Sequence, residues 1–238
     1  MITVAALAAG LGAIATPEQK RQAEAYFKGA LPFLGVKGPA LDAFFKSRLP
    51  ELAAMTPAER FELCRACLAE EAAELRHFGV LTLQREVKRL PAGWLATLRP
   101  VLELRATNWG TADAFSGRVL RYRLPDPADR TAVVAWSAAA SPWLRRMACV
   151  AFVNEARKGV YAEEIRVVVP AALALDHRFA QLGAGWLLRE RWLAAPAEVE
   201  GFLREHGRAM QREAVRYAVE KMPAPLRAEI MVATSAKW

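Results

Sequence analysis

Alternating runs of Val, Ile and Thr, the mark of strands, are scarce in this chain, while Ala, Leu, Arg and Glu fill the stretches between turn residues. The pattern predicts an all-α protein. Met1 to Ala15 form an apolar opening stretch, and Thr16-Pro17-Glu18 then supplies a cap, a first-turn proline and a first-turn acid. The chain is expected to begin with a packed helix. Pro and Gly recur at Pro32, Gly38-Pro39, Pro50, Pro57, Pro91, Pro125 to Pro127, Pro142, Pro170, Pro196 and Pro223, leaving room for about one helix between them.

That rhythm is one of helical hairpins. Helices expected to begin near Trp109, Trp143 and Phe179 are offset by 34 and then 36 residues, a weak internal repeat close to that of HEAT-type arrays, whose periods run somewhat longer. A hairpin cannot bury its apolar face alone. Stacking such hairpins yields an α-solenoid with a concave surface able to cradle a duplex. No low-complexity linker interrupts the 238 residues, so a single HEAT-like repeat domain over 1–238 is expected.

Composition changes this picture at two points. The formal net charge is +8, a value that suits a polyanionic partner and is also met in proteins that bind none. Residues 1–90 carry a balance of +2 and residues 91–238 a balance of +6, so an anion-binding face is expected mainly in the later part. Three cysteines, Cys64, Cys67 and Cys149, show no disulfide framework and fit a reducing cytoplasm. The Cys64-x-x-Cys67 pair has no second pair and only scattered histidines around it, so buried thiols are preferred to a metal site. Met1 to Ala15 lacks the basic start of a secretory signal and is too short to span a bilayer, which predicts no membrane association.

Asn108-Trp109-Gly110-Thr111-Ala112-Asp113 resembles the tryptophan-tryptophan-Asp-Thr-x-Asp signature of the DNA alkylation repair family. Trp143-Leu144-Arg145-Arg146, Gly185-Trp186-Leu187-Leu188-Arg189, and Tyr26 followed by Phe33-Leu34-Gly35-Val36 and Pro39 are similar to further family segments in the same order. Asn108 stands in place of the first tryptophan, Gly110 in place of the first acid, and Leu182 where members often carry lysine. These departures are read as changes in supporting or phosphate contacts. The resemblance implies a HEAT-like solenoid with a concave basic groove. It also implies a bacterial-type, nucleoid-associated cytoplasmic DNA glycosylase, with no cofactor and no metal, that hydrolyses N3- and N7-alkylated purines from duplex DNA. A monomer is expected.

Such chemistry needs little acid catalysis, because a purine alkylated at N3 or N7 is already cationic and departs neutral. The protein must stabilise the oxocarbenium ion and position a water. Trp109 and Asp113, four residues apart, share one helical face. A tryptophan face attracts a cation by about 0.5–2 kcal/mol, and the resemblance makes Trp186 a second such face. Trp109, Asp113 and Trp186 are therefore the expected catalytic residues. On the residues alone, both tryptophans read more readily as core and Asp113 as a capping or solvated acid.

For DNA contact the expectation names Tyr26, Arg146, Arg189, Arg208 and Arg212. Arg146 would clamp a phosphate or brace Asp113. Arg204, Arg208, Arg212 and Arg216 recur every fourth residue and form one stripe if the helix is continuous, which Gly207 puts in question; a solvated charged face is the equal alternative. Dinucleotide, Walker, nucleophile-elbow and zinc-protease motifs are missing, and no deep pocket for an extruded base is expected. A catalytically silent protein binding unusual DNA structures, and a helical scaffold for another protein, remain the competing readings.

Overall fold

The computed structural model describes residues 2–235 and is all-α, with no strand among them. The first unit, ending at Tyr122, holds α1 (Val4–Ile14), α2 (Pro17–Tyr26), α3 (Gly38–Ser47), α4 (Leu49–Ala53), α5 (Pro57–Ala69), α6 (Ala73–Glu86), α7 (Trp94–Arg105) and α8 (Trp109–Phe115). A single turn, α9 (Arg121–Arg123), follows. The second unit, beginning at Arg123, holds α10 (Pro127–Trp136), α11 (Pro142–Ala156), α12 (Ala162–Leu173), α13 (Arg178–Arg191), α14 (Pro196–His206), α15 (Arg212–Ala218) and α16 (Ala224–Ala233).

Most of the punctuating prolines open helices, as their fixed φ and missing N–H favour. Thr16, Thr56, Asp126 and Ser141 each cap a helix whose first residue is proline, and Thr56 forms a capping box with Glu59. Pro170 departs from the expectation: it lies inside α12 instead of between helices. Val168, Val169 and Ala172 on the same helix are buried, and their packing outweighs the lost backbone hydrogen bond.

In the first unit α6 is the central helix, packed by α1, α3, α5 and α8. Phe78 is fully buried there and meets Phe45 edge-on at 5.1 Å and Phe44 at 6.2 Å between ring centroids. In the second unit α11 packs on α13 and α13 on α15, with α12 against both α11 and α13. This layered stacking of sequential helix pairs is the α-solenoid arrangement read from the repeat. Its helices begin within one residue of Trp143 and Phe179. No helix among the described residues is long and apolar enough to cross a membrane.

Candidate nucleic-acid interface

Asn108 builds the start of α8. Its Oδ1 accepts from the Thr111 amide at 2.9 Å while its Nδ2 donates to Thr111 Oγ1 at 3.3 Å. The departure at this position is thus a buried N-cap, worth about 0.5–2 kcal/mol over alanine. Trp109 and Asp113, one turn apart on α8, are both half-buried. A five-residue π-helical segment, Ser116–Leu120, continues directly from α8, an irregularity common next to functional sites.

The other wall of this region comes from the end of α2. Lys28 (φ 52°) and Gly29 (φ 73°) are left-handed, and the Gly29 amide donates to Glu24 O at 2.8 Å, so the helix stops and Phe27 swings back. Phe27 stacks on Trp109 at 4.8 Å with 25° between planes, and Tyr26 meets Trp109 edge-on at 5.6 Å. Tyr26 is 69% exposed. Gly110 explains itself against this stack: a Cβ there would come within 3.0 Å of the Phe27 ring and 3.1 Å of Asn108 Oδ1. The missing side chain at Gly110 lets the Phe27 ring pack closely on α8.

The segment 33–36 is held by one carboxylate. Glu74, only 3% exposed, accepts from the amides of Leu34, Gly35 and Val36 at 2.9–3.1 Å. Gly35 has φ 107°, and a side chain there would strike Thr16 O at 2.4 Å. The loop so fixed sets Phe33 at 5.3 Å from Phe27. Trp109, Phe27 and Phe33 form a continuous aromatic series.

A cavity of about 290 Å³ opens beside this series, lined among others by Phe27, Phe33, Glu74, Arg76, His77 and Gly110. Burial, reinforced by Arg118 and opposed by Asp42, holds the His77 imidazole below its ordinary pKa.

In the second unit Trp186 is half-buried and stacks on Tyr217 at 6.4 Å and 25°. Gly185 lets α13 approach α15, since a Cβ would lie 2.6 Å from Ala214 O. Arg189 lies over the same Tyr217 ring at 4.7 Å and bonds Glu190 and Glu220, each at 2.9 Å, while Lys221 also reaches Glu190 at 2.7 Å. Its guanidinium is already neutralised and stacked, unlike the open phosphate contact expected of it.

The arginines of α11 are also engaged within the protein. Arg146 is 6% exposed, donates to Phe179 O at 3.1 Å and lies against Gly183, whose missing side chain makes room for it. It braces α11 against α13. Arg145 is likewise engaged, donating to the carbonyls of Ala139 and Ala171.

The arginine stripe does not form, because α14 ends at His206, a 3-10 turn follows at Gly207–Ala209, and α15 starts at Arg212. Gly207 is needed at the break, where a Cβ would meet the Thr234 side chain at 2.4 Å. Arg204 pairs with Glu200 and Glu229. Arg208 donates to Ala233 O at 3.0 Å, and Arg212 to Met231 O at 2.6 Å and Thr234 Oγ1 at 3.1 Å, so both cap the end of α16. Arg216 alone of the four has neither an ion pair nor a side-chain hydrogen bond among the described residues.

Sequence reasoning missed Phe27, Glu74, His77 and Tyr217, and named Phe33 only as part of a family segment. Only Phe27, next to Tyr26, carried a local signal. Cys64 and Cys67 lie buried on α5, and no group of three or more His, Cys, Asp or Glu among the described residues is placed to hold a metal ion.

No curated protein sequence matches the chain. The solved structure of a predicted DNA alkylation repair enzyme from Enterococcus faecalis matches with a TM-score of 0.78 at 18% identity, covering 88% of this chain and 97% of that one. This likeness shows a shared fold. The family model of the DNA alkylation repair enzyme matches residues 7–222, and the chain therefore belongs to that family.

Proposed function

We propose that the protein is a monofunctional DNA glycosylase that removes N3- and N7-alkylated purines from duplex DNA. The observation that carries the reading is the placing of Trp109 and Asp113 one turn apart on α8, half-buried, with the exposed ring of Tyr26 against the indole.

The bond between C1′ and the base nitrogen breaks with its electron pair passing to the base, which loses its positive charge on departure. The indole face of Trp109 attracts the cationic character of the departing nucleotide, and the Asp113 carboxylate opposes the charge growing on the sugar. Water adds to C1′ and gives up one proton, which Asp113 accepts or passes to solvent. The products are an abasic site and a neutral free base. No Lewis acid is required, because the leaving group is activated by its own charge.

Tyr26 is the proposed DNA contact of this unit, and Lys28 beside it and Lys37 beyond the Glu74-held loop offer exposed cations for phosphates. Trp186, braced by Tyr217, is proposed as a second indole face for DNA in the second unit. Arg146 and Arg189 act as supports of that unit. The protein is proposed to work as one repeat domain, as a monomer, on DNA in the cytoplasm.

The test is release of 7-methylguanine and 3-methyladenine from methylated duplex DNA in the presence of a chelator. The expected result is base release undiminished by the chelator. DNA binding that weakens steeply with salt but releases no base would replace the enzyme with a silent DNA-binding protein.

A further inference from the structure

The cavity beside α8 does not belong to the Trp109–Asp113 pair, and nothing in the proposed chemistry uses it. Three features of it point to a ligand. Its volume, about 290 Å³, lies near the lower end of small-molecule sites, about 300–1,000 Å³, and suits a single fused-ring base. Phe27 and Phe33 supply aromatic faces, and Leu31, Val36 and Leu41 close the apolar wall. The His77 imidazole lines the cavity and makes no hydrogen bond among the described residues. A neutral imidazole offers one donor and one acceptor, which matches the edge of a purine.

Charge decides which form of the purine fits. The Glu74 carboxylate is occupied by three amides, and Arg76, 3% exposed, adds a buried positive charge whose guanidinium donates to Arg105 O and Glu71 O. Arg118 adds a further positive field at His77. Burial and that field keep His77 itself uncharged near neutral pH. The exposed Asp42 carboxylate adds an opposing negative field at His77, weaker than that of Arg118, so the field there is not negative in balance and a cationic alkylpurine nucleotide gains no advantage over its neutral free base.

The cavity also adjoins the proposed chemistry. Gly110, which lines it, follows Trp109 directly, and Phe27 both lines it and stacks on the Trp109 indole.

We propose that this cavity is a product site, which receives the neutral alkylpurine after its bond to the sugar has broken. The inference rests on the glycosylase reading for the origin of its ligand, while the binding itself can be measured apart from catalysis. Occupation of the site by free base slows turnover by delaying clearance of product from the region of Trp109.

Free 3-methyladenine is titrated into the full-length protein and followed by calorimetry and saturation-transfer NMR. Saturable binding is expected in the parent protein, with affinity lower by at least about tenfold in His77→Ala and in Ala114→Leu, which fills the cavity. Circular dichroism identifies a variant that has lost its fold, and the other variant then decides the matter. The cationic form of the nucleoside 7-methylguanosine is expected to bind at least about tenfold more weakly than the free base. No saturable binding by the parent, equal affinity in both folded variants, or equal binding of the cationic nucleoside would each overturn the proposal.

Base excision is measured on the same preparations. Excision without free-base binding sinks the product site and leaves the glycosylase standing. Binding without excision upholds the cavity as a purine site and overturns the glycosylase reading.

Discussion

Trp109 in the first unit meets Phe27 and the exposed ring of Tyr26, whereas Trp186 in the second meets Tyr217, whose ring also carries an arginine held by two carboxylates. The contrast extends to the cations. Arg146, Arg189, Arg208 and Arg212, all expected on DNA, are engaged inside the second unit with carbonyls, hydroxyls and acids. Lys28 and Lys37 of the first unit are exposed and take no ion pair among the described residues. Net charge along a chain therefore does not say which of its cations are left unengaged. A guanidinium has five donors, and in a helical stack the uncapped carbonyls at helix ends compete for them.

The contrast can be broken most forcefully at Glu74. Changing Glu74→Gln replaces an acceptor for three amides by a group half of which is a donor, and is expected to lower stability by about 1–3 kcal/mol. Chemical denaturation measures this, and unchanged stability would show that the loop 33–36 does not depend on the carboxylate.

Restoring the acid that Gly110 replaces, by Gly110→Asp, is expected to cost about 1–3 kcal/mol, because the new Cβ displaces the Phe27 ring. Adding Phe27→Ala should recover part of that loss, a coupling a double-mutant cycle reads directly. Strict additivity of the two changes would remove the proposed link.

Smaller effects are expected from Arg208→Ala and Arg212→Ala. Each should lose about 0.5–1.5 kcal/mol of stability through loss of its hydrogen bonds to the end of α16, while DNA affinity stays within about twofold of the parent. Unchanged thermal stability with a large loss of DNA affinity would return both residues to the interface.

Smallest of all is the response of the cysteines. Burial pushes the Cys67 thiol up to about 12, with Glu70 adding to the rise. Burial does the same for Cys149, against a lowering by Arg146, again to about 12, and Cys64 is raised by burial, Cys67 and Glu86. Near neutral pH all three thiols stay protonated in the native protein. A thiol reagent should therefore modify none of them until denaturant is added, and rapid native labelling would contradict the burial.

Local signals made the helices legible. Thr16-Pro17, Thr56-Pro57, Asp126-Pro127 and Ser141-Pro142 mark helix starts within a few residues, and the four-residue spacing of Trp109 and Asp113 needed only helical periodicity to put them on one face. What stayed hidden depended on partners far along the chain. Glu74 lies about forty residues beyond the loop it holds, and Phe27 stacks on a tryptophan more than eighty residues later. The arginine stripe fails at Gly207, the break that the sequence itself puts in question. Pro170 misled for the opposite reason, since tertiary packing overrode a helix breaker.

The central claim is that the Asp113 carboxylate acts on the transition state of base release and not on DNA binding. Single-turnover excision of 7-methylguanine by Asp113→Asn, measured beside its equilibrium affinity for the same duplex, tests this most directly. The account predicts a rate lower by at least about tenfold with affinity unchanged within about twofold. An unchanged rate, or a loss of rate fully matched by a loss of affinity, would contradict it.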